Sequence, residues 1–155
     1  MKFRDTVTNH EKVHLELVGT EMEIQVQYLG NVKFAAIARG HRAICDQPPE
    51  NGGGDEGMTP PEFLLASLGT CAGFYAAQYL KARSLSADGL EIKVTADKAQ
   101  QPARLGSFRI EVFVPGLEPR HEDGILRAVK HCLVHNTLLN TPAIETVLHT
   151  EALVR

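Results

Sequence analysis

Residues 59–81 read T-P-P-E-F-L-L-A-S-L-G-T-C-A-G-F-Y-A-A-Q-Y-L-K, and this stretch decides the architecture. Thr59 is placed to cap a helix, and Pro60 suits the first helical position, where its missing N–H would go unpaired anyway. Glu62 completes a T-x-x-E capping box. Leu64, Leu68, Cys71 and Tyr75 recur at i, i+4, i+7 and i+11, which is one helical face. Phe63, Leu65, Ala66, Phe74, Ala76 and Ala77 fill most of the remaining circumference. A helix apolar nearly all round has to be covered nearly all round. In a chain of 155 residues, a sheet on one side and a partner subunit on another would supply that cover. A homodimer is therefore expected. From Phe63 to Leu80 the chain runs 18 residues without a formal charge, at the lower edge of a bilayer span. Ser67, Thr70 and Gln78 interrupt it, so a buried core helix is the better reading and no membrane partner is expected.

Outward from this helix the pattern changes period. After an N-terminal tail at 1–11, Val13, Leu15 and Leu17 alternate with polar residues, and Ile24, Val26 and Tyr28 alternate with Glu23, Gln25 and Gln27. A period of two marks half-buried β-strands. Extended pieces at about 32–38 and 41–46 meet at Arg39-Gly40, which predicts a meander. The segment 47–58 carries Pro48, Pro49, Gly52, Gly53, Gly54 and Gly57; it reads as a flexible loop without regular structure. Downstream, Leu90, Ile92, Val94 and Ala96 form one strand face, and Phe108, Ile110, Val112 and Val114 another, joined through 100–104. Pro119 opens a second helix on which Ile125, Val129 and Cys132 share a face. Asn136 is expected to cap a short turn reaching Leu139, and Ile144 to Val154 to close the chain as a strand. The whole is one α+β domain over 1–155.

Composition narrows the function. A net charge of −3, 16 scattered basic residues and no Trp exclude a phosphate-tracking stripe or a base-stacking platform, so no nucleic-acid partner is expected. The polar start Met1-Lys2-Phe3-Arg4-Asp5-Thr6 lacks the apolar core of a secretory signal. Three widely spaced cysteines do not make a secreted disulfide framework, which points to a reducing, cytoplasmic setting.

Cys71 and Cys132 both sit on apolar stripes, where a free cysteine ordinarily packs as a small hydrophobe. As a pair on two inward-facing helices they also suit a redox cycle. A thiolate that attacks a peroxide becomes a sulfenic acid, and a second thiol condenses it to a disulfide. That cycle needs no cofactor and no metal. Cys45, beside Asp46, reads as incidental. His131, Cys132 and His135 form H-C-x-x-H, one edge of a possible zinc site without a second ligand pair.

The stretch Thr59–Cys71 resembles the central-helix signature of the OsmC/Ohr superfamily, Pro-Glu-x-Leu-Leu-x-Ala-x-x-x-Cys. Residues 132–138, C-L-V-H-N-T-L, are similar to its second-cysteine signature, Cys-Pro-Val-Ser-Asn-(Ala/Thr)-Leu. The resemblance covers about 12–154. It implies an OsmC-like fold: antiparallel sheets wrapped around two long central helices in an intertwined homodimer. It also implies a thiol-dependent peroxidase acting on organic hydroperoxides, with Cys71 as attacking thiol, Cys132 as resolving thiol and a dithiol such as a lipoylated protein as reductant. The alternative is a non-peroxidatic member that binds a small apolar or electrophilic ligand in the dimer cleft. Two departures stand out. The family's functional Glu lies ten residues before the first cysteine, where this chain has Pro61; Glu62 lies nine before, half a turn out of phase at about 100° per residue. The early hairpin turn near Gly30-Asn31 lacks the family's Arg, which leaves Arg39, Arg42 or His135 as the candidate activator.

Overall fold

In the computed structural model, which describes residues 22–151, the period-two segments form two antiparallel sheets. The first is a meander of β1 (Gln25–Gly30), β2 (Lys33–Ala38) and β3 (His41–Cys45). Helix α1 (Pro60–Lys81) leads into a hairpin of β4 (Glu91–Gln100) and β5 (Ala103–Phe113). Two short helices follow, α2 (Glu122–Lys130) and α3 (Leu133–Leu139). The expected strand around Val13–Leu17 and the tail at 1–11 lie outside the described residues.

The core forms where α1 meets the hairpin and α2. In the hairpin register Ile92 faces Val112, Val94 faces Ile110 and Ala96 faces Phe108, so one face of both strands is apolar. That face is pressed on α1 at two glycines. A Cβ on Gly69 would stand 3.1 Å from Val94 Cγ2, and one on Gly73 would stand 3.4 Å from Ile92 Cγ1. At Gly69 the Val94 side chain would have to give by a few tenths of an ångström, whereas at Gly73 a Cβ would only touch Ile92. On its other flank α1 buries Ala72, Ala76, Tyr79 and Leu80 against Ile125 and Val129 of α2. By length and composition α1 could cross a membrane, but it is packed here against β4, α2 and α3 as a core helix.

Several sequence expectations are corrected. The second helix does not run through Cys132. It ends at Lys130, and Cys132 instead caps a separate helix, α3, by accepting the His135 N–H at 3.4 Å. Asn136 therefore lies inside α3 rather than capping it. Nor do the described residues 141–151 form the expected closing strand; Ile144 and Leu148 are exposed. Alternating apolar residues become a strand only beside another strand, and none among the described residues lies there.

The segment 47–58 also departs from expectation, since Pro49–Asn51 forms a 3₁₀ turn. It is held from beneath by Asp46, only 1% exposed. Its carboxylate accepts backbone N–H groups from Gln47 (2.8 Å), Gly54 (3.0 Å) and Glu56 (3.1 Å). Lys33 pairs with Glu56, and the Asn31 amide donates to the Gly52 carbonyl, which ties the loop to the first hairpin. The donated N–H groups, that of Glu56 first, hold the Asp46 carboxyl below its ordinary value of 3.8. A carboxyl whose folded pKa is depressed adds stability that is complete above its unfolded value and is lost as pH falls through the folded one. Acid unfolding below about pH 4 should therefore carry a component from Asp46. Asp46→Asn, which turns an NH₂ toward backbone donors, should destabilise the protein at neutral pH and flatten that acid limb. Urea titrations at several pH values check both.

Candidate functional site

The N-terminus of α1 explains where Glu62 goes. Its carboxylate accepts the Thr59 backbone N–H at 2.7 Å and the Thr59 hydroxyl at 2.8 Å, closing the capping box. Those two donors hold it below its ordinary value of 4.5. In this conformation Glu62 is committed to the helix end rather than to the cysteine nine residues on.

Three turns further along, Cys71 comes up half-buried on the side of α1 that meets α3. The α2–α3 junction lowers Cys132 onto it. Cys132 is fully buried, at 0% exposure. Burial pushes the Cys132 thiol above its ordinary value of 9.0, and the adjoining Cys71 thiol adds to the rise; the backbone N–H groups of His135 and Val134 pull the other way. One sulfur thus serves two partners: it caps α3 and it neighbours Cys71. Both thiols are free, as is Cys45, which pairs in register with Phe34 on the first sheet.

The asymmetry is chemically useful. The thiolate is the reactive form, so the more accessible thiol meets an incoming electrophile while the buried one stays protonated. Iodoacetamide should accordingly label Cys71 in the native protein and reach Cys132 only on unfolding. Peptide mass spectrometry checks the order; equal labelling would contradict the burial.

A groove of about 600 Å³ opens between α1, β5 and α3, with neither cysteine in its lining. Leu64 and Leu68 of α1, Phe108 and Ile110 of β5, and Leu138 of α3 make it mainly apolar. His135 lines it as well, and its Nδ1 is buried without a hydrogen-bond partner. A buried, unpaired ring nitrogen is uncommon because leaving it so costs free energy. Arg39 and Arg42 lie elsewhere. Arg39 occupies the β2–β3 turn at positive φ (51°) and lines a separate cavity with Glu23 and Gln25; Arg42 is exposed on β3 opposite Ile37. Within one chain neither shares a hydrogen bond, ion pair or cavity with the cysteines. Among the described residues no three His, Cys, Asp or Glu side chains are grouped as metal ligands, His131 and His135 included.

Two features of the site had no clear signal in the sequence. Nothing marks Cys132 as a helix cap, because cysteine is not among the residues that usually fill that role. Arg104 reads only as part of the hairpin connection, yet it too lines the groove.

The family model described as "OsmC-like protein" matches residues 52–147, which hold Cys71, Cys132 and the helices α1, α2 and α3. The fold is similar to that of an OsmC-like protein from Mycoplasma pneumoniae, 21% identical over 80% of this chain and 91% of that one, with a TM-score of 0.67. It is similar to an organic hydroperoxide resistance protein OsmC from Legionella pneumophila, 13% identical over 78% and 90%, TM-score 0.57. It also resembles the organic hydroperoxide resistance protein OhrB of Bacillus subtilis, 16% identical over 79% and 93%, TM-score 0.53. A search of curated protein sequences gives no match.

Proposed function

We propose, from the premise that this chain belongs to the OsmC-like protein family, that it is a cytoplasmic thiol-dependent peroxidase acting on organic hydroperoxides. The observation that carries the reading is the juxtaposition of a half-buried Cys71 on α1 with a buried Cys132 at the start of α3, two elements that also wall an apolar groove. In the first step the Cys71 thiolate attacks the terminal peroxide oxygen. The O–O bond breaks, the organic oxygen leaves as the alcohol after taking a proton, and Cys71 becomes a sulfenic acid. Cys132 then attacks the Cys71 sulfur, an S–S bond forms, and the hydroxyl departs as water with the Cys132 proton. A dithiol reductant such as a lipoylated protein returns both sulfurs to thiols. Of Arg39, Arg42 and His135, the histidine is the one that lines the groove, so we assign it the role of supplying or accepting the proton.

A coupled assay with cumene hydroperoxide and dihydrolipoamide tests this. Wild type should consume peroxide and Cys71→Ser should not; equal consumption by the two ends the enzyme reading.

One observation favours the second reading, a non-peroxidatic protein that binds a small apolar or electrophilic ligand. Among the described residues no arginine or carboxylate is bonded to Cys71, and a thiol without a neighbouring cation reacts slowly. Under that reading the Cys71→Ser protein would bind apolar ligands as well as wild type does.

The apolar face of the first sheet supports an intertwined homodimer in either case. Val26 and Tyr28 on β1 are 61% and 65% exposed, while Gln25 and Gln27 beside them are better covered. Such a face is inverted for a monomer in water. Light scattering should give a molar mass of two chains.

A further inference from the structure

Helix α3 is held to the rest of the molecule by few ties, and one of them is the sulfur that disulfide formation has to move. Only His131 separates the end of α2 from the cap residue Cys132. Helix α2 is anchored in the core by Ile125 and Val129, but α3 has no buried residue, and its Leu133 and Leu139 are exposed. Seven residues are too few to stay helical in water unaided. Among the described residues, every hydrogen bond made by α3 stays within 132–140. At the C-terminal end Asn140 donates its backbone N–H and its side-chain amide to the Asn136 carbonyl, both at 2.9 Å, which ties α3 only to itself. At the N-terminal end Cys132 accepts twice, its carbonyl from the Asn136 N–H at 3.0 Å and its sulfur from the His135 N–H at 3.4 Å. Cys132 is also the one buried residue of 131–140, so it pins the helix to the core.

A bond between Cys132 and Cys71 pulls on that pin. Cys71 rides on the core helix, where its neighbours Leu68 and Ala72 are both buried and hold the backbone in place. Closing from thiol contact to bonding distance therefore falls on Cys132. The N–H···S bond to His135 is already long, and a hydrogen bond weakens steeply once it is misaligned. The His135 N–H then loses its acceptor and α3 loses its side-chain cap.

We propose that formation of the Cys71–Cys132 disulfide uncaps α3 and frees it as a redox-sensitive flap, which gives a dithiol reductant access to the bridge. This rests on the thiol pair of the peroxidase reading and adds a conformational step to it. In the oxidising half the two thiols give up two electrons and two protons to a hydroperoxide, which leaves as alcohol and water. In the reducing half a thiolate of the dithiol attacks one bridged sulfur, its second thiol displaces the first, and the reductant departs as its own disulfide. The flap matters to that second half, because a bridge to a fully buried sulfur offers an external thiol little to attack. Once Cys132 is a thiol again it recaps α3, and His135 and Leu138 return to the groove wall.

Hydrogen exchange read by mass spectrometry tests this, comparing dithiothreitol-reduced protein with protein oxidised by diamide, which takes two hydrogens from a thiol pair without any peroxide. The amides of 135–140 should exchange roughly three- to tenfold faster in the bridged protein, with the central turns of α1 and α2 unchanged. Cys132→Ala, which has no acceptor, should exchange fast even in reducing buffer, and Cys132→Ser should stay slow. Cys71→Ser treated with diamide should also stay slow. Protection of α1 verifies that each variant is folded; should Cys132→Ala not fold, the diamide comparison decides alone. Unchanged or slower exchange over 135–140 on bridging overturns the proposal, since a bridge that merely staples α3 to α1 would slow it. So does a rise that persists in Cys71→Ser, or a failure of diamide to join the two thiols. Replacing diamide with cumene hydroperoxide separates the two claims. If the hydroperoxide leaves the thiols free while diamide bridges them and frees α3, the peroxidase reading fails and the flap stands.

Discussion

Gly124→Ala is expected to destabilise the protein by about 2 kcal/mol, although alanine is the better helix former by about 1 kcal/mol. Gly124 lies in the first turn of α2, against the end of α1. A Cβ there would stand 2.1 Å from the Tyr79 hydroxyl and 2.6 Å from two of its ring carbons. The ring cannot swing away. Tyr79 is buried in the core, its hydroxyl shares a hydrogen bond with His121 Nδ1 at 3.2 Å, and the Arg83 guanidinium lies 3.8 Å over its face. Relief therefore requires α2 to move off α1, which loosens the packing of Ile125 and Val129. Tyr79→Phe in the Gly124→Ala background should recover only part of the loss, because it removes the oxygen and leaves the ring carbons. Urea unfolding followed by far-UV dichroism measures all three proteins. An unchanged or raised midpoint for Gly124→Ala would refute the packing described here.

Cys132→Ser should separate the two duties of that sulfur. A serine oxygen accepts the His135 N–H at least as well as sulfur does, so α3 stays capped and stability should change by less than about 1 kcal/mol. The redox cycle should not survive. One peroxide should be consumed per Cys71, leaving a sulfenic acid that dimedone traps and mass spectrometry locates, while steady-state turnover with dithiol falls roughly tenfold or more. Wild type under the same mild peroxide should show a Cys71–Cys132 bridge and no dimedone adduct. If Cys132→Ser cycles as fast as wild type, Cys132 is not the resolving thiol. If it unfolds, its burial rather than its capping dominates.

Much of this architecture was legible before any coordinates. Thr59, Pro60 and Glu62 announce the start of α1, because helix ends need partners for orphan N–H groups and few residues supply them. The alternation in 90–96 and 107–114 announces the hairpin, because a pleated strand with one buried face has a period of two. The motifs around Cys71 and Cys132 carried the family. The less legible parts share one physical character: neither is announced by periodicity or by a usual capping residue. Asp46 holds a loop through N–H groups as far as ten residues away, and Cys132 leaves its expected helix to become the cap of the next.

The sequence by itself thus determined the core helix, the two β regions and the identity of the two thiols, since periodicity and capping are local properties of the chain. Tertiary structure alone decided that Glu62 serves the helix end, that His135 rather than Arg39 or Arg42 faces the groove within one chain, and that Arg104 stands at its rim. It also left 141–151 without a strand, because backbone donors and acceptors form a sheet only when another chain segment is brought alongside.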